Sequence, residues 1–365
     1  MQLTRYKLGE LIVQRREKNN NFDVPIRGVS REGFIMPKQQ EADTSIYNVF
    51  YKNDFVFNPA RMELNSIALN LEFDKALCSS LYEVFYVKDE NVLLPEFLNL
   101  HIKRDEFARH CEYIGSGSAR EYCRFAHISE FDIELPPLSV QKEIVEADRL
   151  LKRRIALNGR MIQNLEATAQ TLYRKMFVDG IDKENLPEGW RIETLKDVAT
   201  LKAGGDKPIN FSEEKTESYN IPVYANGIEN KGIFGYTIKS IIKAKSITIS
   251  ARGTIGYCFL RKQPYVPIVR LIVIIPTNEI DAQYLFYYLD SLNLKGSGSV
   301  QSQLTVPDIE GLEIIVPPQQ LVKMFNDEVE VIDNAIDIRE REISKLKELQ
   351  SLLLAKMGNL KTINI

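Results

Sequence analysis

The sequence predicts an α+β protein with a pseudo-twofold internal repeat. Two β-rich domains are expected at opposite ends of an intramolecular antiparallel coiled coil made by two long helices. Three observations carry this. First, the halves of the chain align: Gly115-Ser116-Gly117-Ser118 recurs as Gly296-Ser297-Gly298-Ser299, an offset of 296 − 115 = 181. The same offset maps Ile128 onto Ile309, Pro136-Pro137 onto Pro317-Pro318 and Lys175-Met176 onto Lys356-Met357. A repeat of that length is a whole domain with its helix, not a solenoid unit. Second, short apolar runs separated by turn residues dominate the front of each half. Third, a long stretch with 3/4 apolar spacing follows each Pro-Pro pair.

The expected boundaries are 1–137 for the first domain, 138–178 for the first helix, 179–318 for a linker with the second domain, and 319–365 for the second helix. In the first domain Phe55-Val56-Phe57 follows the turn residues Lys52-Asn53-Asp54, and Leu81 to Val87 is rich in strand formers. Pro95 to Arg109 reads as one short helix. The second domain repeats the order with strands at Ser246–Ser250 and Val266–Ile275 and a helix at Asp281–Leu292. Here the offset drifts, to 284 − 97 = 187 for Phe97 and Tyr284 and to 252 − 61 = 191 for Arg61 and Arg252. Such drift marks small loop insertions, and loops are where related domains acquire different surfaces. The openings also match: Lys7-Leu8-Gly9-Glu10-Leu11 resembles Thr194-Leu195-Lys196-Asp197-Val198.

Each long helix starts after a Pro-Pro pair, which ends the preceding strand and is tolerated at a helix start. The first carries a stripe of Val140, Ile144, Ala147, Leu151, Ile155, Asn158, Ile162, Leu165, Ala169, Leu172 and Met176. Adding 181 to each position yields the stripe of the second helix, from Leu321 to Met357. This is a coiled-coil seam with a one-residue stutter near Leu151–Ile155. The first helix has eight Lys/Arg against four Asp/Glu, a balance of +4; the second has six against eight, a balance of −2. Opposite bias favours pairing with each other, and a homodimer through the same seam is the alternative. An antiparallel pair of about 40 residues would be a rod of roughly 60 Å. Asn158 and Arg339 would then meet as a polar layer that fixes register.

Composition excludes several classes. The chain has 365 residues, enough for two or three domains, with 44% apolar residues. Cys78, Cys111, Cys123 and Cys258 show no CxxC spacing and no secretory signal is read ahead of them, so they are expected as small core residues in a reduced, cytoplasmic setting. No apolar run approaches the ~18 residues of a membrane helix. There is no Asn/Asp-Pro-Pro-Tyr/Phe motif: Asn58-Pro59-Ala60-Arg61 lacks the aromatic that would stack on a flipped base. No phosphate-binding Gly-x4-Gly-Lys-Ser/Thr loop occurs. His101, His110 and His127 form no zinc pattern, and His101 in its apolar helix reads as core or surface. No catalytic, metal or cofactor site is expected. A net charge of −3 and a pI near 5.9 speak against nucleic acid unless the contact surface is locally basic or partner subunits supply phosphate contacts.

The junction Leu135-Pro-Pro-Leu-Ser-Val-Gln141, the lead-in Leu186-Pro187-Glu188-Gly189-Trp190 and the stretch Ser250-Ala251-Arg252-Gly253-Thr254-Ile255-Gly256 together resemble the specificity subunit of type I restriction–modification systems. The resemblance covers essentially the whole chain. The second junction, Val316-Pro-Pro-Gln-Gln-Leu-Val322, departs by carrying Val322 where the first has Gln141. The resemblance implies two target-recognition domains, each reading one half of a bipartite double-stranded DNA sequence. It implies helices that act as spacer and as platform for two methyltransferase subunits, with restriction/translocase subunits joining them. It implies a non-catalytic component of a larger enzyme.

The candidate DNA contacts follow from polar turns between strands. In the first domain they are Arg27, Arg31, Lys38, Asn58, Arg61 and Asn65, with Ser30 beside them. In the second they are Lys207, Asn226, Lys231, Arg252, Thr254 and Arg261, with Lys202, Asn230 and Lys262 beside them. The Gly-Ser-Gly-Ser loops add Ser116, Ser118, Ser297 and Ser299, followed by Arg120 and Arg124 in one copy and Gln301 and Gln303 in the other. Two readings of these loops stand: a backbone that approaches phosphate, or a plain turn. Arginine can pair bidentately with guanine and glutamine with adenine. Arg61 and Arg252 form the leading pair, each after a strand and an alanine. The rival reading is an interaction protein whose coil tethers two protein-binding domains and touches no DNA.

Overall fold

A computed structural model describes residues 3–20, 23–37, 43–115, 122–277, 280–292, 294 and 303–358. The chain divides into two compact units, Met1–Gly159 with Glu340–Ile365, and Arg160–Arg339. Each unit holds one part of each long helix, Leu138–Phe177 and Gln319–Met357. Among the described residues no helix is long and apolar enough to cross a membrane.

In the first unit Thr4–Lys7 pairs antiparallel with Asp132–Leu135, so the strand that opens the domain lies beside the one that leads into the long helix. An antiparallel sheet follows in the order Ile12–Arg15, Glu83–Val87, Phe55–Phe57, Ile67–Leu69. A pair, Asn48–Tyr51 with Lys75–Cys78, and a hairpin, Gly28–Ser30 with Gly33–Ile35, complete the β structure. Phe55, Phe57 and Phe85 are fully buried, and the rings of Phe55 and Phe85 stack at 4.8 Å. The expected helix from Pro95 to Arg109 is two helices, Pro95–Ile102 and Asp105–Gly115. Asp105 and Glu106 supply the acidic first turn that favours a new helix start there.

Ile144, Val145, Leu354 and Met357 of the long helices join this unit's core. Arg154 pairs with Glu342 at 2.6 Å, and Gln350 donates to the buried Asp148 at 2.8 Å. Residue numbers thus rise along one helix as they fall along the other.

The second unit repeats the plan. Arg191–Thr194 pairs with Glu313–Val316. One sheet runs in the order Ala199–Ala203, Ile272–Pro276, Ser246–Ile249, Cys258–Arg261, and a smaller one joins Ile233–Thr237, Ile221–Tyr224 and Val266–Pro267. The helix Ala282–Ser291 is capped by Asp281, whose Oδ1 accepts the Gln283 N–H at 2.6 Å. Tyr173 and Phe177 of the first long helix and Phe325 of the second pack against Tyr284 and Tyr287, with the Phe177 and Phe325 rings 5.2 Å apart. Burying one such ring contributes about 2–3 kcal/mol.

The predicted stripes are buried or half-buried at every position except Glu328, which is exposed. A second buried row, Gln141, Val145, Asp148, Tyr173 and Phe177, was not read from the sequence. Gln141 is an internal latch: Leu94 N–H donates to its Oε1 at 3.0 Å, and its Nε2 donates to the Val92 and Pro136 carbonyls at 2.9 and 3.0 Å. Val322, its match, is a core residue of the second unit. All four cysteines are buried free thiols. His101 is buried too: its Nδ1 lies 3.1 Å from an Arg104 nitrogen, and burial followed by the Arg104 charge lowers its pKa to about 3.

The single strand expected over Val266–Ile275 is corrected. It is broken after Pro267 by Val269 and Arg270, both left-handed at φ 53° and 58°, and resumes at Ile272 in a different sheet.

Candidate nucleic-acid interface

In the first unit the predicted residues gather around two clefts that share Val29, Ile35 and Arg61. One, of about 460 Å³, is lined by Arg31, Arg61, Asn65 and Lys103. The other, of about 520 Å³, is lined by Arg27, Tyr47, Asn58 and Arg61. Arg61 stands at a kink in the short 3₁₀ segment Pro59–Leu64, at φ −138°. The two asparagines hold that segment at its ends. Asn58 Oδ1 accepts the Ala60 N–H at 3.1 Å, and Asn65, left-handed at φ 54°, donates to the Ile102 carbonyl at 3.3 Å. Cys123 N–H donates to the Pro59 carbonyl at 3.1 Å, just ahead of the arginine.

The cations differ in freedom. Arg27 donates to the Ile26 carbonyl at 2.8 Å and lies 4.7 Å over the Phe73 ring. Arg124 pairs with Glu83 at 3.2 Å. Arg31 and Arg61 are exposed, and no side-chain hydrogen bond or ion pair holds either one among the described residues. A guanidinium without an internal partner is available to a phosphate or a base edge.

In the second unit Asn226 is consumed internally: its Oδ1 accepts the Ala251 N–H at 2.7 Å and its Nδ2 donates to the Val269 carbonyl at 2.8 Å. Arg252 is exposed, and its Nε and Nη2 both donate to Gln303 Oε1, at 3.1 and 2.8 Å. Leu304 N–H donates to the Ala251 carbonyl at 2.8 Å, so each leading arginine follows a backbone latch from a residue downstream of its Gly-Ser-Gly-Ser sequence. Lys207 sits 3.6 Å over the Phe211 ring. Lys231 is exposed at φ 55°. The Thr254 hydroxyl is buried without a hydrogen-bond partner.

Arg261 is corrected. It closes the strand Cys258–Arg261 and is 3% exposed, not set in a polar turn. Its Nε donates to Thr248 Oγ1 at 2.9 Å, its Nη2 to the Lys231 carbonyl at 2.7 Å, and its guanidinium stacks on Tyr224 at 3.5 Å. Burial lowers its pKa. A cation held this way supports the loop around Lys231 from below and has no face left for DNA. Lys202 likewise lies in the strand Ala199–Ala203, and Lys262 pairs with Asp333 at 2.9 Å. Asn158 is 1% exposed with its Nδ2 unpaired, and Arg339 is half-buried. Lys38, Ser116, Ser118, Arg120, Ser297, Ser299 and Gln301 lie outside the described residues.

Arg270, exposed on its left-handed turn, was missed because Val-Pro-Ile-Val-Arg-Leu-Ile-Val reads as one continuous strand. A β-branched residue at φ 53°, as Val269 is, costs about 1–3 kcal/mol, which no local pattern announces.

The model of the type I restriction modification DNA specificity domain matches this chain twice, over residues 4–167 and 187–348. A protein of Mycoplasma pneumoniae named as a candidate type I specificity subunit is 29% identical over 274 residues, covering 68% of this chain and 79% of the relative. A candidate specificity subunit of the MjaX enzyme from Methanocaldococcus jannaschii is 26% identical over 364 residues, covering 92% and 84%. The crystal structure of a type I S subunit from M. genitalium shares the fold with a TM-score of 0.60 at 16% identity, covering 98% of this chain and 96% of that one. With both of its halves matched by that domain, the chain belongs to the type I restriction–modification DNA specificity family.

Proposed function

We propose that this chain is the non-catalytic DNA-recognition subunit of a type I restriction–modification complex and reads an asymmetric bipartite target, one half-site per recognition domain. The observation that carries this reading is the doubled domain with unlike exposed arginines at matching places. Arg61 stands between two clefts, whereas Arg252 is braced by Gln303. Domains that differ there call for half-sites that differ. The net charge of −3 is compatible with this, because each domain exposes arginines, Arg31 and Arg61 in the first and Arg252 and Arg270 in the second, that can meet DNA.

The long helices form an antiparallel coil in this reading, with Asn158 and Arg339 as its polar layer. The falling and rising residue numbers within the first unit support it. Met324, Val331 and Ile338 are exposed at heptad spacing on one helix, as are Leu150 and Leu157 on the other. Unpaired apolar stripes of this kind suit helical partners, here two methyltransferase subunits, with restriction/translocase subunits joining for cleavage.

The test is methylation-aware sequencing of DNA from cells carrying the chain with its methyltransferase, joined to a gel shift of that complex at stated salt. The expected result is two unlike half-sites about 10 bp apart, centre to centre, with unread bases between. A palindromic or contiguous target, or no sequence preference, would overturn the reading.

A further inference from the structure

We infer that Arg270 reads a base of the half-site facing the second domain, and that Asn226 sets it in register with Arg252. The inference rests on the DNA-reading function above and adds to it one specificity residue and one positioning residue.

Val269 and Arg270 hold left-handed conformations, at φ 53° and 58°. Such a turn is the natural place for glycine or asparagine, and a valine persists there only when its surroundings over-determine it. They do. Val269 N–H donates to the Gly205 carbonyl at 2.9 Å, Arg270 N–H to the Gly204 carbonyl at 3.1 Å, and Leu271 N–H to the Ile268 carbonyl at 3.1 Å. Gly204 is needed for this approach, since a Cβ there would meet the Ile268 nitrogen and the Pro267 carbonyl carbon at 2.9 Å each. What the turn presents is Arg270, exposed, with no ion pair or side-chain hydrogen bond among the described residues. A strained turn held this firmly around an unpartnered cation is built to aim it.

One side chain links this turn to the other leading arginine. The Asn226 amide accepts from Ala251, the residue before Arg252, and donates to Val269, the residue before Arg270. The two arginine-bearing backbones are therefore two hydrogen bonds apart. Gln303 Oε1 accepts two hydrogen bonds from the Arg252 guanidinium. A guanidinium edge matches the O6 and N7 acceptors of guanine in the major groove. Two of them at a fixed separation fit guanines on two nearby base pairs. Because both polar ends of Asn226 are occupied, it positions readers and does not itself read.

The test uses the full chain assembled with its methyltransferase subunits and a randomised duplex library, with Arg270→Ala, Arg270→Lys and Asn226→Asp beside wild type. Arg270 is exposed, so folding is not at issue. Arg270→Ala is expected to lose guanine preference at one position of the second half-site by about 5- to 150-fold, with the first half-site unchanged. Arg270→Lys restores only part of it. Asn226→Asp removes the donor to Val269 and blurs both guanine positions at once. A second half-site that Arg270→Ala leaves intact would overturn the inference. So would an equal loss on all sequences with a shallower salt slope, which marks a phosphate contact. If wild type itself selects no bipartite sequence, the function proposed above falls with it; if wild type selects one and Arg270→Ala matches it, only this inference falls.

Discussion

Replacing Gln141 by valine imports the residue that the repeat puts at the matching place, Val322 (322 − 141 = 181). Gln141 is 1% exposed and makes three hydrogen bonds, accepting from Leu94 N–H and donating to the Val92 and Pro136 carbonyls. Each is worth about 1 kcal/mol net, so the loss is roughly 3 kcal/mol. The space that the shorter side chain leaves empty adds to that. The assay is urea unfolding of the full chain together with hydrogen exchange on peptides spanning 92–98. The first unit should unfold at lower urea and the Leu94 amide should exchange faster by up to roughly a hundredfold, while peptides from the second unit keep their rates. Unchanged stability with weakened methyltransferase binding would refute this, because it would mean that the glutamine faces a partner and not its own domain.

His101 makes the first unit acid-sensitive. Its folded pKa of about 3 lies below the ordinary 6.5, so between those values the unfolded chain binds a proton that the folded chain refuses. Stability is then full above about pH 6.5 and falls toward pH 3 by about 1.4 kcal/mol per unit, a slope that His101→Gln should flatten in urea titrations at several pH values. Asp54→Asn should cost about 3 kcal/mol in the same assay. It strips the charge from a buried carboxylate that accepts from Arg15 at 2.6 and 3.0 Å and from Tyr51 N–H at 2.8 Å. Seven residues inserted into each long helix should lengthen the spacer by about 10 Å and widen the methylated target's gap by about three base pairs; an unchanged gap counts against the coil as a ruler. Arg61→Ala should relax one position of the first half-site in the randomised-library assay and leave the second half-site alone.

The repeat itself, the strands Phe55–Phe57 and Ser246–Ile249, and both long helices were legible because each depends on local periodicity and flanking prolines. The family was legible for a related reason: its junction motifs are contiguous in the chain. The interface was only half legible. Arg31, Arg61 and Arg252 emerged as exposed cations, since a polar loop between apolar runs can put its charges only in water.

Arg261, expected in a polar turn, and Arg270, which falls inside the strand expected over Val266–Ile275, both came out otherwise. Arg261 went inside because Thr248, the Lys231 carbonyl and the Tyr224 ring, all distant in the chain, together repay its desolvation. Arg270 went outside because Gly204, Gly205 and Asn226 hold its backbone left-handed against local preference. The sequence by itself determined which segments repeat, which become strands or helices, and which surfaces must be polar. Only the tertiary structure decided which polar side chains are spent on internal hydrogen bonds and which stay free, because that depends on neighbours brought together by folding, whose hydrogen bonds outweigh the preferences of any single stretch of chain.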